Sequence, residues 1–350
     1  MANDAAPLLI GVLHDHSLPD QDAGFERCAR VGIALVGDRP DRPVEFLHAH
    51  AAGLPRGSAH AVVTAFDELV DAGVLVVIGP AITDNGLVVR DLADAAEISC
   101  INYTGSEQTR SEWMFHYQIG SLEEEPNVLA RHLSDRGLTR VALVYDRSTI
   151  GRRYATFFDD ACPAFGVDLV ARVGVSPVTD DLGATAESLR ATGADALVYL
   201  GLGLSAHPLA RALADLDWHP PVVTNSALMF GYANADWARA WNGWTYCDSV
   251  SGSNETLAAL QEVVGAAMPG PGPPGQHDLG RLVAEAAARA DHLTRAGMRE
   301  GLERIKMLPS ATGRAGTIMG FGQWDRAALK GEYLVLRRWD DGVSRELVEH

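Results

Sequence analysis

The stretch "VLVVIGPAITDNGLVVRDLADAAEISCINY", residues 74–103, decides how the chain is read. It opens on the apolar run Val74-Leu75-Val76-Val77-Ile78, the composition of a strand buried on both faces. After a small, polar turn, "NGLVVRDLADAAE" (85–97) places its apolar residues at helical spacing, and "ISCINY" (98–103) reads as a second strand. Strand, helix and strand in such a short span form a βαβ unit. Each strand runs out into hydroxyls and amides: Thr83-Asp84-Asn85 after the first, Asn102-Tyr103-Thr104 after the second.

The same alternation extends to either side. Upstream, "LLIGVLHD" (8–15) and "VEFLHAHA" (44–51) read as strands, and "DAGFERCARVGIALVGD" (22–38) and "SAHAVVTAFDELVDAG" (58–73) as helices. Alternation at this period predicts a parallel sheet with helices on both faces. Downstream, "WMFHYQIG" (113–120) is extended. Ser121-Leu122-Glu123-Glu124 then has the S-x-x-E spacing of a capping box and predicts a helix through "PNVLARHLSDRG". At "TRVALVYD" (139–146) the strand–helix rhythm begins again and runs to "PPVVTNSA" (220–227), so a second doubly wound unit is expected. "PGPGPPGQ" (269–276), between two helical patterns, reads as an exposed loop. Trp237, Trp241, Trp244 and Tyr246 read as one packed face rather than an aromatic cage.

Composition narrows the function. With 350 residues, 47% of them apolar and 21% charged, the chain suits a globular protein of about two domains. Its 29 Lys and Arg against 46 Asp and Glu leave a net charge of -17, which repels nucleic acid and anionic lipid. No nucleic-acid partner and no membrane span is expected. The four cysteines, Cys28, Cys100, Cys162 and Cys247, form no C-x-x-C pair and read as small buried residues. The opening "MANDAAPLL" has no basic, then apolar, leader pattern. Two locations stay open: periplasmic or lipid-anchored where a leader has been removed, cytoplasmic otherwise.

In doubly wound sheets a ligand binds beyond the carboxyl ends of the strands, where strand order switches. Thr83, Asp84, Asn102, Tyr103 and Thr104 stand at such ends, next to helix starts whose amides and dipole suit a carboxylate or amide. His14-Asp15-His16 and His48-Ala49-His50 end two strands expected to be neighbours. Imidazoles bind Zn, Ni or Cu, but H-x-H spacing without a firm third donor does not define a site. No metal and no cofactor is expected, and His14 is carried as a ligand-contact residue. "GLGLS" (201–205) matches neither G-x-G-x-x-G nor G-x-S-x-G, "GPAITDNG" (79–86) lacks the lysine of a phosphate loop, and no serine or cysteine sits in an activating pattern. Catalysis is not expected.

Together these residues resemble the type I periplasmic solute-binding proteins, in particular the branched-chain amino acid and amide-binding branch of ABC transporter receptors. "VLVVIGP" resembles the strand before that family's first ligand loop, and "INYTGSEQT" (101–109) its hydroxyl-bearing head-group segment. "RVALVYDRSTIGR" (140–152) looks like the opening of the second lobe, and "GTIMGFGQWDRAALKGEYLVLRRW" (316–339) the last crossover. The resemblance implies an α/β fold of two doubly wound parallel-sheet lobes joined by a three-crossing hinge. One lobe would take residues 1–119 and 250–325, the other 120–249 and 326–350, with the ligand cleft between them. It also implies that Thr83, Asn102 and Thr104 meet the ligand's head group and that Ile150 and Leu204 cover it. Ser226 stands where amino-acid binders often carry an acid for the ammonium, so an α-amino acid should bind poorly unless Asp84 or Glu123 substitutes.

The expected function is a solute receptor that presents a small carboxylate, amino-acid-like or amide ligand to ABC permease membrane subunits. A cytoplasmic ligand-sensing regulator on the same fold is the alternative, and an enzyme the weakest reading.

Overall fold

The computed structural model describes residues 6–16, 21–37, 42–264 and 270–347. The chain opens with β1 (Leu8–His14), α1 (Gln21–Ala34), β2 (Val44–His50), α2 (Ala59–Asp71), β3 (Val76–Ile78), α3 (Thr83–Ala96), β4 (Ser99–Asn102) and β5 (Met114–His116). It continues through α4 (Glu125–Asp135), β6 (Arg140–Asp146), α5 (Thr149–Ala161), β7 (Asp168–Val175), α6 (Gly183–Ala191), β8 (Ala196–Leu200), α7 (Ala206–Asp215), β9 (Val222–Thr224), α8 (Ala235–Ala240) and β10 (Thr245–Asp248). The last part holds α9 (Glu255–Val264), α10 (Gly272–Arg289), α11 (Arg295–Glu303), β11 (Leu308–Pro309), β12 (Ile318–Met319), β13 (Leu329–Lys330), β14 (Val335–Asp340) and β15 (Val343–Glu346).

Two compact units result: Met1–Ile119 with Val250–Tyr333, and Gly120–Ser249 with Leu334–His350. The return to the second unit thus falls at 333/334, not at 325/326 as the sequence reading has it. Residues 326–333 are bound into the first unit. β13 pairs with β12, and the buried Arg326 guanidinium donates to the carbonyls of Ser111 (3.2 Å) and Glu112 (2.7 Å).

In the first unit the strands run parallel in the order β2-β1-β3-β4-β5. The apolar runs explain this layer, since Ile10, Val12, Val76, Val77, Ile78 and Ile101 are all fully buried between helices. α10 returns from the far end of the sequence to lie on α1, and the two backbones nearly touch. A Cβ on Gly32 would sit 2.0 Å from the His277 carbonyl, and one on Gly280 would sit 2.3 Å from that of Ala29. Gly272–Gln276, expected as loop, is the first part of α10. Pro273 and Pro274 are tolerated there because first-turn N–H groups have no intrahelical acceptor to lose. Pro269 lies outside the described residues.

In the second unit β7-β6-β8-β9-β10 repeat the strand order of the first, and the parallel sheet then gains an antiparallel edge, β14 and β15. That hairpin turns on Asp341 (φ 50°) and Gly342 (φ 78°), the pair of positive φ values that a two-residue type I′ turn requires. Trp241, Trp244 and Tyr246 pack with Trp339 into its core, and Trp237 lies edge-on against Trp241. All four cysteines are buried. Among the described residues no helix is long and apolar enough to cross a membrane.

The α1–α10 contact sets a test. Alanine is the better helix former by about 1 kcal/mol, yet Gly280→Ala should lower stability by about 1–3 kcal/mol through overpacking against Ala29. Urea midpoints decide it, and a gain in stability would contradict the close approach.

Candidate functional site

β1 and β3 are neighbours, and the chain after each reaches the same edge of the first unit. β3 is followed by Gly79, whose φ of +113° only glycine adopts readily, and a Cβ there would stand 2.4 Å from the Leu13 carbonyl. This lets the turn pass close to β1. There the buried Asp15 carboxylate accepts hydrogen bonds from the amides of Ala81 (2.8 Å) and Ile82 (2.9 Å) and from the Asn85 side chain (2.8 Å). Asp15 therefore caps α3 from another strand, a task usually given to the residue before the helix. Thr83, the first residue of α3, is 1% exposed, and its hydroxyl has no hydrogen-bond partner. Asp84 follows it, half-buried.

At the end of β4, Asn102 and Thr104 are placed at the same edge, but their side chains are engaged within the protein. The Asn102 amide donates to the Phe115 carbonyl (2.7 Å), and its oxygen accepts from the hydroxyls of Thr104 (2.9 Å) and Thr109 (3.1 Å). His116 supports this loop: one ring nitrogen lies 2.7 Å from the Thr104 carbonyl, and the other accepts from Arg110 (3.1 Å). Burial, and then the Arg110 charge, lower its pKa to about 3, so it is neutral and donates to that carbonyl. Tyr103 is half-buried and donates its amide to the Pro80 carbonyl (3.1 Å), which ties the two strand-end loops together. Burial, and then the Asp15 charge, push its phenol up.

The other expected residues lie in the second unit or apart from this group. Ile150 is buried at the start of α5, which Ser148 caps through the Gly151 amide (3.1 Å). Leu204 is half-buried in the turn before α7. The glycines of that turn have a structural cause. The buried Asp146 carboxylate accepts from the Leu202 amide (2.7 Å) and Tyr199 hydroxyl (3.0 Å), and a Cβ on Gly201 would collide with it.

Ser226 is buried against a carboxylate that the sequence reading missed. Glu125 accepts from the Ser226 amide (2.7 Å) and hydroxyl (3.1 Å), the Tyr154 hydroxyl (2.9 Å) and the Ser121 amide (2.6 Å). The expected capping box is thus closed by Glu125. The Ser121 hydroxyl does accept from the Glu124 amide (3.1 Å), but the carboxylate that answers it comes from one residue further on. Burial raises the Glu125 pKa to about 7, against the opposing effect of its hydrogen bonds.

His14 does not join the Thr83 group. It is 2% exposed and stacked on His48 and His50. Burial, and then the charges of these two histidines, lower its pKa to about 4.

Two doubly wound units of equal strand order, each with a polar edge beyond its strands, define a class of ligand-binding α/β protein. The chain belongs to the periplasmic binding protein family, whose profile matches residues 7–333. Solved structures share the fold at low identity. A substrate-binding protein of an ABC transporter from Desulfitobacterium hafniense, in complex with Leu, is 18% identical with a TM-score of 0.80, covering 98% of this chain and 100% of its own. The branched-chain amino acid transporter substrate-binding protein LivJ of Streptococcus pneumoniae, in complex with isoleucine, is 15% identical with a TM-score of 0.82, covering 98% and 99%. A leucine-binding protein, LivK, of Thermotoga maritima is 13% identical with a TM-score of 0.81, covering 97% and 98%. No curated protein sequence matches the chain significantly.

Glu125 makes stability depend on pH. With its folded pKa raised from 4.5 to about 7, the native state keeps a proton that the unfolded chain has lost, so this contribution fades as pH rises through that window. The full effect is at most about 3 kcal/mol. The melting temperature of the wild type should therefore fall more steeply between those pH values than that of Glu125→Gln. Equal slopes would contradict the assignment.

Proposed function

We propose that the chain is an extracytoplasmic solute receptor that delivers a small carboxylate or amide ligand to ABC permease subunits. Family membership supports the receptor role, and the solved structures of like fold include ABC transporter substrate-binding proteins. The observation that carries the ligand reading is the Thr83 hydroxyl, buried without a partner at the start of α3. A buried hydroxyl left unpaired costs about 1–3 kcal/mol, which a ligand head group would recover. The first-turn amide of Thr83 has no intrahelical acceptor, and Tyr103 stands at the neighbouring strand end. Asn102 and Thr104 take the role of shaping this edge, their side chains being spent on one another.

Asp15 weighs between the two head groups. Its carboxylate already holds the amides of Ala81 and Ile82 and already faces the helix dipole. A second anion there would be repelled, so an uncharged amide suits the edge better than a carboxylate. Ser226 brings no charge, and the carboxylate beside it is fully buried and saturated by four donors, which leaves nothing to pair with an ammonium. Such a receptor performs no chemistry on its ligand.

A thermal-shift panel of small amides and carboxylates, with and without an α-ammonium group, tests the reading. The largest shift is expected from amides lacking the ammonium, and a largest shift from leucine or isoleucine would contradict it. With the best ligand, Thr83→Val should weaken binding by about 1–3 kcal/mol while leaving the melting temperature of the free protein unchanged or higher. Unchanged affinity would remove Thr83 from the site.

A further inference from the structure

A second group of side chains meets where β1 and β2 end. His14 and His50 are partners in the β1–β2 register, and His48 lies two residues before His50, on the same face of the strand. The His14 ring stacks on His50 (centroids 4.6 Å apart, planes at 11°) and on His48 (5.1 Å, 13°). From α1, Asp22 and Glu26 face these rings, one helical turn apart.

Several distances among these atoms suit a coordination sphere. His14 Nε2 lies 2.8 Å from His48 Nδ1 and 3.3 Å from Asp22 Oδ1, and His48 Nδ1 lies 3.6 Å from the same oxygen. Bond lengths of about 2.0–2.1 Å in a tetrahedral zinc site put neighbouring donors about 3.3 Å apart, so this triangle matches one face of the tetrahedron. His50 Nε2 lies 3.2 Å from the other Asp22 oxygen, and one donor atom each of His14, Asp22 and His50 fall within 4.8 Å of one another. His48 Nε2 lies 3.3 Å from Glu26 Oε1, the carboxylate–histidine arrangement that orients a metal-bound imidazole. Without a cation, one proton shared between His14 Nε2 and His48 Nδ1 holds that pair, and the buried His14 Nδ1 has no partner.

We propose that this cluster binds one divalent transition-metal ion of the zinc type, with His14, His48, His50 and Asp22 as ligands and Glu26 positioning His48. Three imidazoles and one carboxylate select borderline ions such as Zn, Ni or Cu over Ca or Mg, which take oxygen ligands. The ion clasps the first turn of α1 to the ends of β1 and β2. This site does not rest on the solute reading, since it uses neither Thr83 nor Asp15 as a ligand.

The test uses the full chain without an affinity tag, stripped with chelator and titrated with zinc near neutral pH against a chromophoric competitor. One zinc per chain is expected, with cobalt in its place giving the visible band of a tetrahedral site. Because His14 is buried, the first variant is His50→Ala, whose ring is exposed, with circular dichroism to show that the fold is kept. His50→Ala and Asp22→Asn should each weaken zinc at least about tenfold and remove the cobalt band, and Glu26→Gln should weaken zinc about 10- to 100-fold. Absence of zinc uptake by the wild type, displacement of zinc by equimolar calcium, or full affinity in both His50→Ala and Asp22→Asn would overturn the proposal.

Discussion

The edge of the first unit depends on one buried carboxylate. Asp15, directly after β1, is held by the amides of Ala81 and Ile82 and by the Asn85 side chain, and so locks the start of α3 to the strand beside it. A buried carboxylate is stable only when such donors surround it. Because Ala81 and Ile82 are taken, Thr83 becomes the first residue of the helix whose polar groups remain for anything else. The edge thus presents hydroxyl and amide groups next to a carboxylate, and the proposal of a neutral, hydrogen-bonding guest rests on this.

The fold was legible where it rests on periodicity. Strands such as Val76–Ile78 and Ala196–Leu200 are buried on both faces, so their apolar runs are unbroken and cannot be mistaken for an exposed segment. Legibility failed where local signals have two meanings. "PGPGPPGQ" reads as loop because proline and glycine break helices, but a first helical turn has no use for those N–H groups, and α10 begins inside it. The β14–β15 hairpin was marked by Asp341-Gly342, a type I′ signal that was passed over. The crossing at 333/334 was unreadable, since it is set by Arg326 reaching carbonyls more than two hundred residues away in sequence.

The strand-end edge was legible in position but not in the state of its side chains. Strand ends flagged Thr83, Asn102, Tyr103 and Thr104, and the structure places all of them at one edge. Which side chain is spent and which is not depends on partners such as Thr109 and Phe115, whose approach no spacing announces. Glu125 was hidden by a neighbour, because Glu124 fits the capping pattern and Glu125 makes the bond. The histidine pairs were visible as H-x-H, but Asp22 and Glu26 come from a helix whose rotation only the packed structure reveals.

The central claim is that a ligand is received at the start of α3. The most direct measurement is amide hydrogen exchange, with and without the small molecule that mass spectrometry finds released from the purified protein. The account predicts new protection at the amides of Thr83, Asp84 and Asn85, with Ala81 and Ile82 already slow in the free protein because Asp15 holds them. Ligand-dependent protection that leaves Thr83–Asn85 unchanged, or fast exchange at Ala81 and Ile82 without ligand, would contradict it.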